Sequence, residues 1–385
     1  MHDLSRRTML AGAAALTPAL APALARAADI KAALGTPPSV ISNPPRDFGP
    51  HAPPLSNPDP DVLVLDRSFG GMLVGQAMIH RIHTGLEWAE GPAWCAAGQY
   101  ALFSDVKANK QYRYIWETRQ MTVFRDPSYN SNGNTFDFEG RQVSCQDFLR
   151  RVVRWEHDGS LKVLADSFEG KPLNSPNDLA PHPDGSIWFT DPPYGGQLSE
   201  GHPDEAGGPL NQDGRFDPNV GVGGTGIIGA TRQVLPRNVY RWDPSGRLDV
   251  VIPEENRLWP NGICFSPDYK KVYAVRGGQL WVGDVQGKGI ANLRVFTDCM
   301  VDGVHCGPDG MRADRQGNIW SGSTAPLGYS GVTVWNPEGK LIGRIRLPEV
   351  CPNICFAGPK RDWLFMCGTQ SIYMLRVNVQ GASPG

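Results

Sequence analysis

An Asn or an acidic residue stands eight positions before a strand-separating turn at six places along this chain. Glu90 precedes Gly98, Asn132 precedes Gly140, Asn177 precedes Gly185 and Asp309 precedes Gly317. Asn261 and Asn353 keep the same offset from Tyr269 and Arg361, inside the turns Pro267-Asp268-Tyr269-Lys270 and Pro359-Lys360-Arg361-Asp362. A single Pro-Asn or Pro-Asp dipeptide is ordinary turn punctuation. Six positions in phase are a repeat, and a repeat restricts the fold far more than any one motif does. Strand-like runs such as Tyr100–Ser104, Ile187–Thr190, Lys271–Val275 and Asn318–Gly322 follow the turns, and no stretch has a helical period. Spacings of 42, 45, 84, 48 and 44 residues separate the marked positions. A period of roughly 40–50 residues with four strands per unit is that of β-propeller blades.

The expected architecture is all-β: a six-bladed β-propeller with four-stranded antiparallel blades around a central metal site, occupying residues 71–380. The spacing of 84 is one blade plus an insertion, placed at 195–236, where Gly221-Val-Gly-Gly-Thr-Gly226 marks a polar, glycine-rich run. A strand near Met78–Ile82 is expected to pair with Ser371–Leu375 and close the ring, which removes free sheet edges. Residues 28–70, rich in Pro, Asn and Ala over the first part, read as an extended arm over the domain. Residues 1–27 read as a twin-arginine signal peptide, with Ser5-Arg6-Arg7-Thr8-Met9-Leu10, an apolar Leu10–Leu24 stretch and the cleavage-like Ala25-Arg26-Ala27. A periplasmic destination is therefore expected.

Net charge narrows the partners. At −2 the chain carries neither the basic footprint of a nucleic-acid binder nor a polybasic membrane patch. Eight cysteines in 385 residues are too sparse for a disulfide scaffold and form no Cys-x-x-Cys pair, so most are expected as small buried hydrophobes, with room for one or two disulfides. The expected partner is a small molecule.

In a propeller the first strand of each blade lines the central channel, so residues at its start face one another near one mouth. Glu90, Asn177, Asn261 and Asp309 would then converge as two carboxylates and two amides. Such oxygen donors suit a hard divalent cation, calcium above all, whereas zinc or copper would call for His or Cys.

These segments resemble a known family. Glu90-Gly91-Pro92, Asn174-Ser-Pro-Asn-Asp-Leu179 with Ile187-Trp-Phe-Thr-Asp-Pro-Pro-Tyr-Gly195, Pro260-Asn-Gly262 and Pro308-Asp-Gly-Met311 are similar to the gluconolactonase/regucalcin (senescence marker protein) family, over about Ile79 to Val377. The resemblance implies a six-bladed propeller with one catalytic divalent ion, often calcium, though zinc, manganese or magnesium also serve. It further implies hydrolysis of sugar lactones, with metal ligands at Glu90, Asn261 and Asp309. Asn177 falls on a position that binds metal or substrate, and Asp309 on one that also acts as the base. Tyr194, Asp147, Asn132, Trp88 and His305 are the neighbouring candidates for substrate contact. One departure stands out: Cys145-Gln146-Asp147-Phe148 occupies the place where many bacterial relatives carry Cys-Glu-His-Gly, which shifts what the pocket accepts.

The leading expectation is a metal-dependent lactonase. Another ester or organophosphate hydrolase on the same metal, and a non-catalytic calcium-binding propeller that uses its insertion to hold a partner, are the competing readings, since fold alone does not decide function.

Overall fold

The computed structural model describes residues 37–53, 55, 57–194, 235–256 and 258–384. The signal peptide expected at 1–27, the start of the arm and almost all of the insertion expected at 195–236 lie outside the described residues. The rest forms six four-stranded antiparallel sheets, one of them extended by a fifth strand. Blade 1 runs Ala89–Cys95, Tyr100–Asp105, Lys110–Ile115 and Gln120–Arg125, and blade 2 starts at Ser131–Phe136. Blade 3 starts at Leu179–Pro181, and the insertion falls between its second strand, Ile187–Thr190, and its third, Val239–Trp242. Blades 4, 5 and 6 start at Pro260–Phe265, Gly307–Ala313 and Asn353–Ala357. These six first strands are neighbours around a closed ring, each touching the next and the last returning to the first.

The repeat in the sequence has a local cause. Gly140, Gly185 and Gly317, each eight residues past a marked position, have φ of 79°, 83° and 86°. Tyr269 and Arg361 hold the same left-handed conformation at φ 58° and 52°. The register therefore counts from the ring residue to the left-handed residue of the hairpin that joins strands one and two. Glycine takes that conformation without steric cost, whereas Tyr269 and Arg361 each bear a strain of about 1 kcal/mol. Blade 1 differs by one place, with Gln99 rather than Gly98 at positive φ.

Closure follows the expected pairing, two residues further along: His80–Thr84 pairs antiparallel with Ser371–Arg376 as the outer strand of blade 6. The described part of the arm packs on the propeller. Val62–Val64 pairs with Leu341–Arg346 as a fifth strand of blade 5. A one-turn helix, Arg67–Gly70, capped by Asp66, then lays Phe69 against Gly343, where a Cβ would come within 2.2 Å of the ring. Arg46 fastens the arm by donating to Asp59 at 2.8 Å and to the Ile79 carbonyl at 2.8 Å.

The core is divided among the seams between blades. Blades 5 and 6 bury Trp320, Ile354, Phe356 and Tyr373 together with Phe69, Met72 and Ile79. Blades 6 and 1 bury Trp94, Phe103, Phe365 and Ile372. The seam between blades 1 and 2 is different: its apolar cluster is small, with Ala93, Cys95, Leu102 and Phe136. Polar side chains fill the remainder, for Gln111 and Ser144 each donate to the Asn134 Oδ1 at 2.7 Å, and Arg125 donates to Gln111 and Gln142 at 2.7 Å. A buried network of this kind holds only because its members are paired. All eight cysteines are free and buried. No helix among the described residues is long and apolar enough to cross a membrane.

Candidate functional site at the channel mouth

The six marked residues all sit at or just before the start of a ring strand. In blades 1, 2, 4 and 5 the pairing of strands one and two slips there by one residue, between Glu90 and Ala93, Ser131 and Asn134, Pro260 and Ile263, and Pro308 and Met311. The extra residue lies on the ring strand each time, a β-bulge that re-aims the side chains beside it. Glycine follows the marked residue in all four. At Gly91 a Cβ would lie 2.0 Å from the Asn132 carbonyl oxygen, and at Gly262 one would lie 2.1 Å from that of Asp309. Only glycine lets one ring strand approach the next so closely. The Gly133 N–H uses the approach to donate to the Asn177 carbonyl at 2.7 Å, and the Gly310 N–H donates to that of Pro352 at 2.7 Å.

Side chains of neighbouring ring strands meet where the last blade joins the first. The Glu90 Oε2 accepts from its neighbour Gly91 N–H at 2.7 Å and from the Asn353 Nδ2, on blade 6, at 3.0 Å. The Cys351 thiol is driven well above its ordinary range by burial first, and then by the Glu90, Asp309 and Glu349 carboxylates. Among the described residues no group of three or more His, Cys, Asp or Glu side chains converges. Of the six marked residues two are acidic, Glu90 and Asp309, and four are asparagines.

Asp178 and Arg312 pair beside the ring residues, and neither was singled out in the sequence. Asp178 stands where other blades have glycine, directly after Asn177. Its carboxylate accepts from the Leu179 N–H at 2.9 Å and the Ile263 N–H at 3.3 Å, and lies 3.7 Å from the Arg312 guanidinium. Arg312 in turn donates to the Met311 carbonyl at 2.7 Å and the Pro92 carbonyl at 3.4 Å. Both side chains are buried, and together they tie blades 1, 3, 4 and 5 across the axis.

A cavity of about 430 Å3 opens at the mouth. Asn261 and Asp309 form its polar lip, and Tyr194, Trp259, Val275, Pro308 and Thr324 its walls. Tyr194 and Trp259 lie 5.5 Å apart between ring centroids, and the Arg237 guanidinium covers Trp259 at 4.0 Å. His305 lines the rim, with its Nε2 2.7 Å from the Gly278 carbonyl oxygen. Trp259 was missed by sequence reasoning, although its place directly before Pro260-Asn261 was the available signal. Asn132 and Asp147 are buried in blade 2, and the Trp88 ring lies under the Lys107 ammonium at 4.8 Å; none of the three lines this cavity. Cavities of about 460 Å3 beside the arm and about 490 Å3 along Val377–Gln380 lie away from the ring residues.

Two aspartates clamp the loops that lead into the ring. Asp105 accepts from the Trp88 N–H at 2.8 Å just ahead of Glu90. Asp191 accepts from the Asn174 and Ser175 N–H groups, both at 2.8 Å, just ahead of Asn177. Burial pushes the Asp191 carboxyl up to about 7 from an ordinary 3.8, against the pull of those two bonds and of Arg150. The native state thus prefers the protonated acid. Its stabilising effect is complete below about pH 4 and is lost as pH rises through about 7. Wild-type melting temperature is expected to fall across that interval relative to Asp191→Asn, whose amide does not titrate. Parallel curves from thermal melts at pH 4 to 8 would refute the assignment.

Residues 88–370 match the family described as the SMP-30/Gluconolactonase/LRE-like region. A gluconolactonase of Zymomonas mobilis is 29% identical over 329 residues, spanning 79% of this chain and 82% of its own length. A solved structure of a gluconolactonase from Xanthomonas campestris superposes with a TM-score of 0.69 at 28% identity, covering 86% of this chain and 98% of that one. A calcium-binding protein, regucalcin, of Agrobacterium tumefaciens superposes with a TM-score of 0.59 at 18% identity, covering 78% and 94%, which is a likeness of fold.

Proposed function

The chain belongs to the SMP-30/gluconolactonase/LRE-like family, and on that premise we propose that it is a metal-dependent hydrolase that opens lactones, sugar lactones such as gluconolactone first among them. The observation that carries this reading is the pair Asn261 and Asp309 on the lip of a ligand-sized cavity, in a ring of first strands at whose starts Glu90 and Asn177 also stand. Glu90, Asn177, Asn261 and Asp309 would hold one divalent cation. Mixed carboxylate and amide oxygens favour calcium, which tolerates irregular geometry, over zinc, manganese or magnesium. When bound, the cation supplies Lewis acidity toward a carbonyl oxygen.

The protein's own groups do the rest. Glu90, held at Oε2 by two donors, serves as a ligand of fixed orientation. Asp309 takes a proton from the attacking water at a carboxylate oxygen as the new C–O bond forms at the lactone carbonyl. The ring C–O bond then breaks, and the proton passes to the departing alkoxide. Tyr194 and Trp259 orient the substrate's ring, and His305 stands at the rim to contact its polar edge. Asn132, Asp147 and Trp88 belong to the proposal as neighbours of the ring strands that shape what enters. The apolar wall of Trp259, Val275 and Pro308 favours one second reading, an ester hydrolase whose substrate carries an apolar group. Delivery to the periplasm by the twin-arginine signal belongs to the same proposal, and cell fractionation of the full chain tests it.

The deciding experiment uses the full-length protein stripped of metal and reloaded in turn with calcium, zinc, manganese or magnesium. It is assayed against a panel of sugar lactones and an aryl ester, with spontaneous opening subtracted. At least one loading is expected to open a sugar lactone, with no turnover after chelation. A protein that opens no sugar lactone in any metal form would remove the lactonase reading, and activity confined to the aryl ester would favour the second.

A further inference from the structure

We propose that Asn353 is the positioning residue of the cation site, holding the Glu90 carboxylate in place against the ring strand that carries Asp309. The inference rests on the reading of Glu90 as a metal ligand and adds a residue that the ligand set does not contain. Asn353 is buried at 2% exposure at the start of the blade 6 ring strand, opposite Cys367. Its Nδ2 donates to the Glu90 Oε2 at 3.0 Å. The same amide faces the Asp178 carboxylate and helps to draw that acid's pKa down against burial. Its Oδ1 accepts from the Ile354 N–H at 2.8 Å.

The amide is therefore used at every end, and its orientation is fixed by chemistry. Only the NH2 group can face two carboxylates, and the oxygen must face a donor. Position is set just as tightly. At Gly310, the residue after Asp309, a Cβ would lie 1.9 Å from the Asn353 Cγ, so the carboxamide rests on the backbone next to the second ring carboxylate. Asn353 thus touches the segments of Glu90 and Asp309 at once. A ligand carboxylate held by outer hydrogen bonds binds metal more tightly than one left to rotate, typically by 10–100-fold per outer partner.

Asn353→Ala is expected to weaken Ca2+ binding by about 10–100-fold. Calcium alone is titrated calorimetrically into the full-length, chelator-treated protein, and the metal-free melting temperature is recorded alongside. Gly310→Ala is the second variant. Its methyl displaces the Asn353 carboxamide in the wild-type background, a clash that is gone once residue 353 is alanine. Each single variant should lower affinity, and the double variant should be no worse than Asn353→Ala. A purely structural role would lower the melting temperature and leave calcium affinity within about threefold of wild type, which would overturn the inference while leaving the ligand set standing. Additive losses in the double variant would overturn it as well. A wild-type protein that binds neither calcium nor manganese or zinc would overturn the cation reading and this inference together.

Discussion

Asp309→Ala is expected to reduce lactone opening by at least about 10³-fold while leaving the propeller folded. The size follows from the two tasks assigned to one side chain. A positioned general base contributes about 10²–10⁴-fold, and the loss of a ligand oxygen weakens the Lewis acid besides. The fold is spared because Asp309 is only half-buried at the lip of the cavity, and the bulge around it is held by backbone contacts such as the Gly310 N–H to the Pro352 carbonyl. Asp309→Asn separates the two tasks. The amide keeps an oxygen donor for the cation but cannot take a proton, so calcium binding should survive in part while turnover is lost. Initial-rate assays on glucono-δ-lactone, with calcium affinity measured in parallel, read both quantities. Wild-type rates in the alanine variant would remove Asp309 from the mechanism, and wild-type rates in the asparagine variant would remove it as the base alone.

The legible part of this fold was the part governed by local sterics. Left-handed residues at Gly140, Gly185, Tyr269, Gly317 and Arg361 recur because each blade must turn its first strand into its second, and the ring residue lies at a constant distance from that turn. Counting between them yielded the blade number and, through the interval of 84, the blade that carries the insertion. Closure by a strand near residue 80 was likewise readable, since a ring without it would leave the Ser371–Arg376 edge unpaired. The bulges were half visible: Gly91, Gly133, Gly262 and Gly310 follow their ring residues in the sequence, but their purpose, close approach between ring strands, is a property of the assembled ring. What escaped was whatever depends on contacts between distant blades. Asp178 and Arg312 are brought together only by closure of the ring, and no periodicity connects them. Asn353 could be placed on the ring from its register, yet its bond to Glu90 joins the last blade to the first. The seam between blades 1 and 2 escaped for the same reason, because Gln111, Asn134 and Ser144 read as ordinary strand residues until they face one another.

The channel pair carries the second large effect, this time on stability. Arg312→Leu is expected to destabilise the metal-free protein by about 3–5 kcal/mol near pH 7, because it leaves the Asp178 carboxylate buried without its cation. Asp178 is 1% exposed, and burial already raises its pKa against the pull of Arg312. Removing the guanidinium raises that pKa further. The sign of the pH dependence follows: a folded-state pKa above the unfolded value means that stability is greatest below the unfolded pKa and is lost as pH rises through the folded one. The deficit of Arg312→Leu should therefore shrink as pH falls from 7 toward 4 and Asp178 becomes neutral. Charge, rather than lost packing, is the cause if Arg312→Leu with Asp178→Asn recovers much of the loss, since the double variant buries no unpaired ion. Denaturant melts of the four proteins at pH 5 and pH 7 give the cycle. A deficit that is independent of pH and unrelieved by Asp178→Asn would assign the effect to lost packing of the buried arginine stem. With charge as the cause, one buried pair contacting four of the six blades holds the ring closed at its axis, much as the strand at His80–Thr84 holds it closed at its rim.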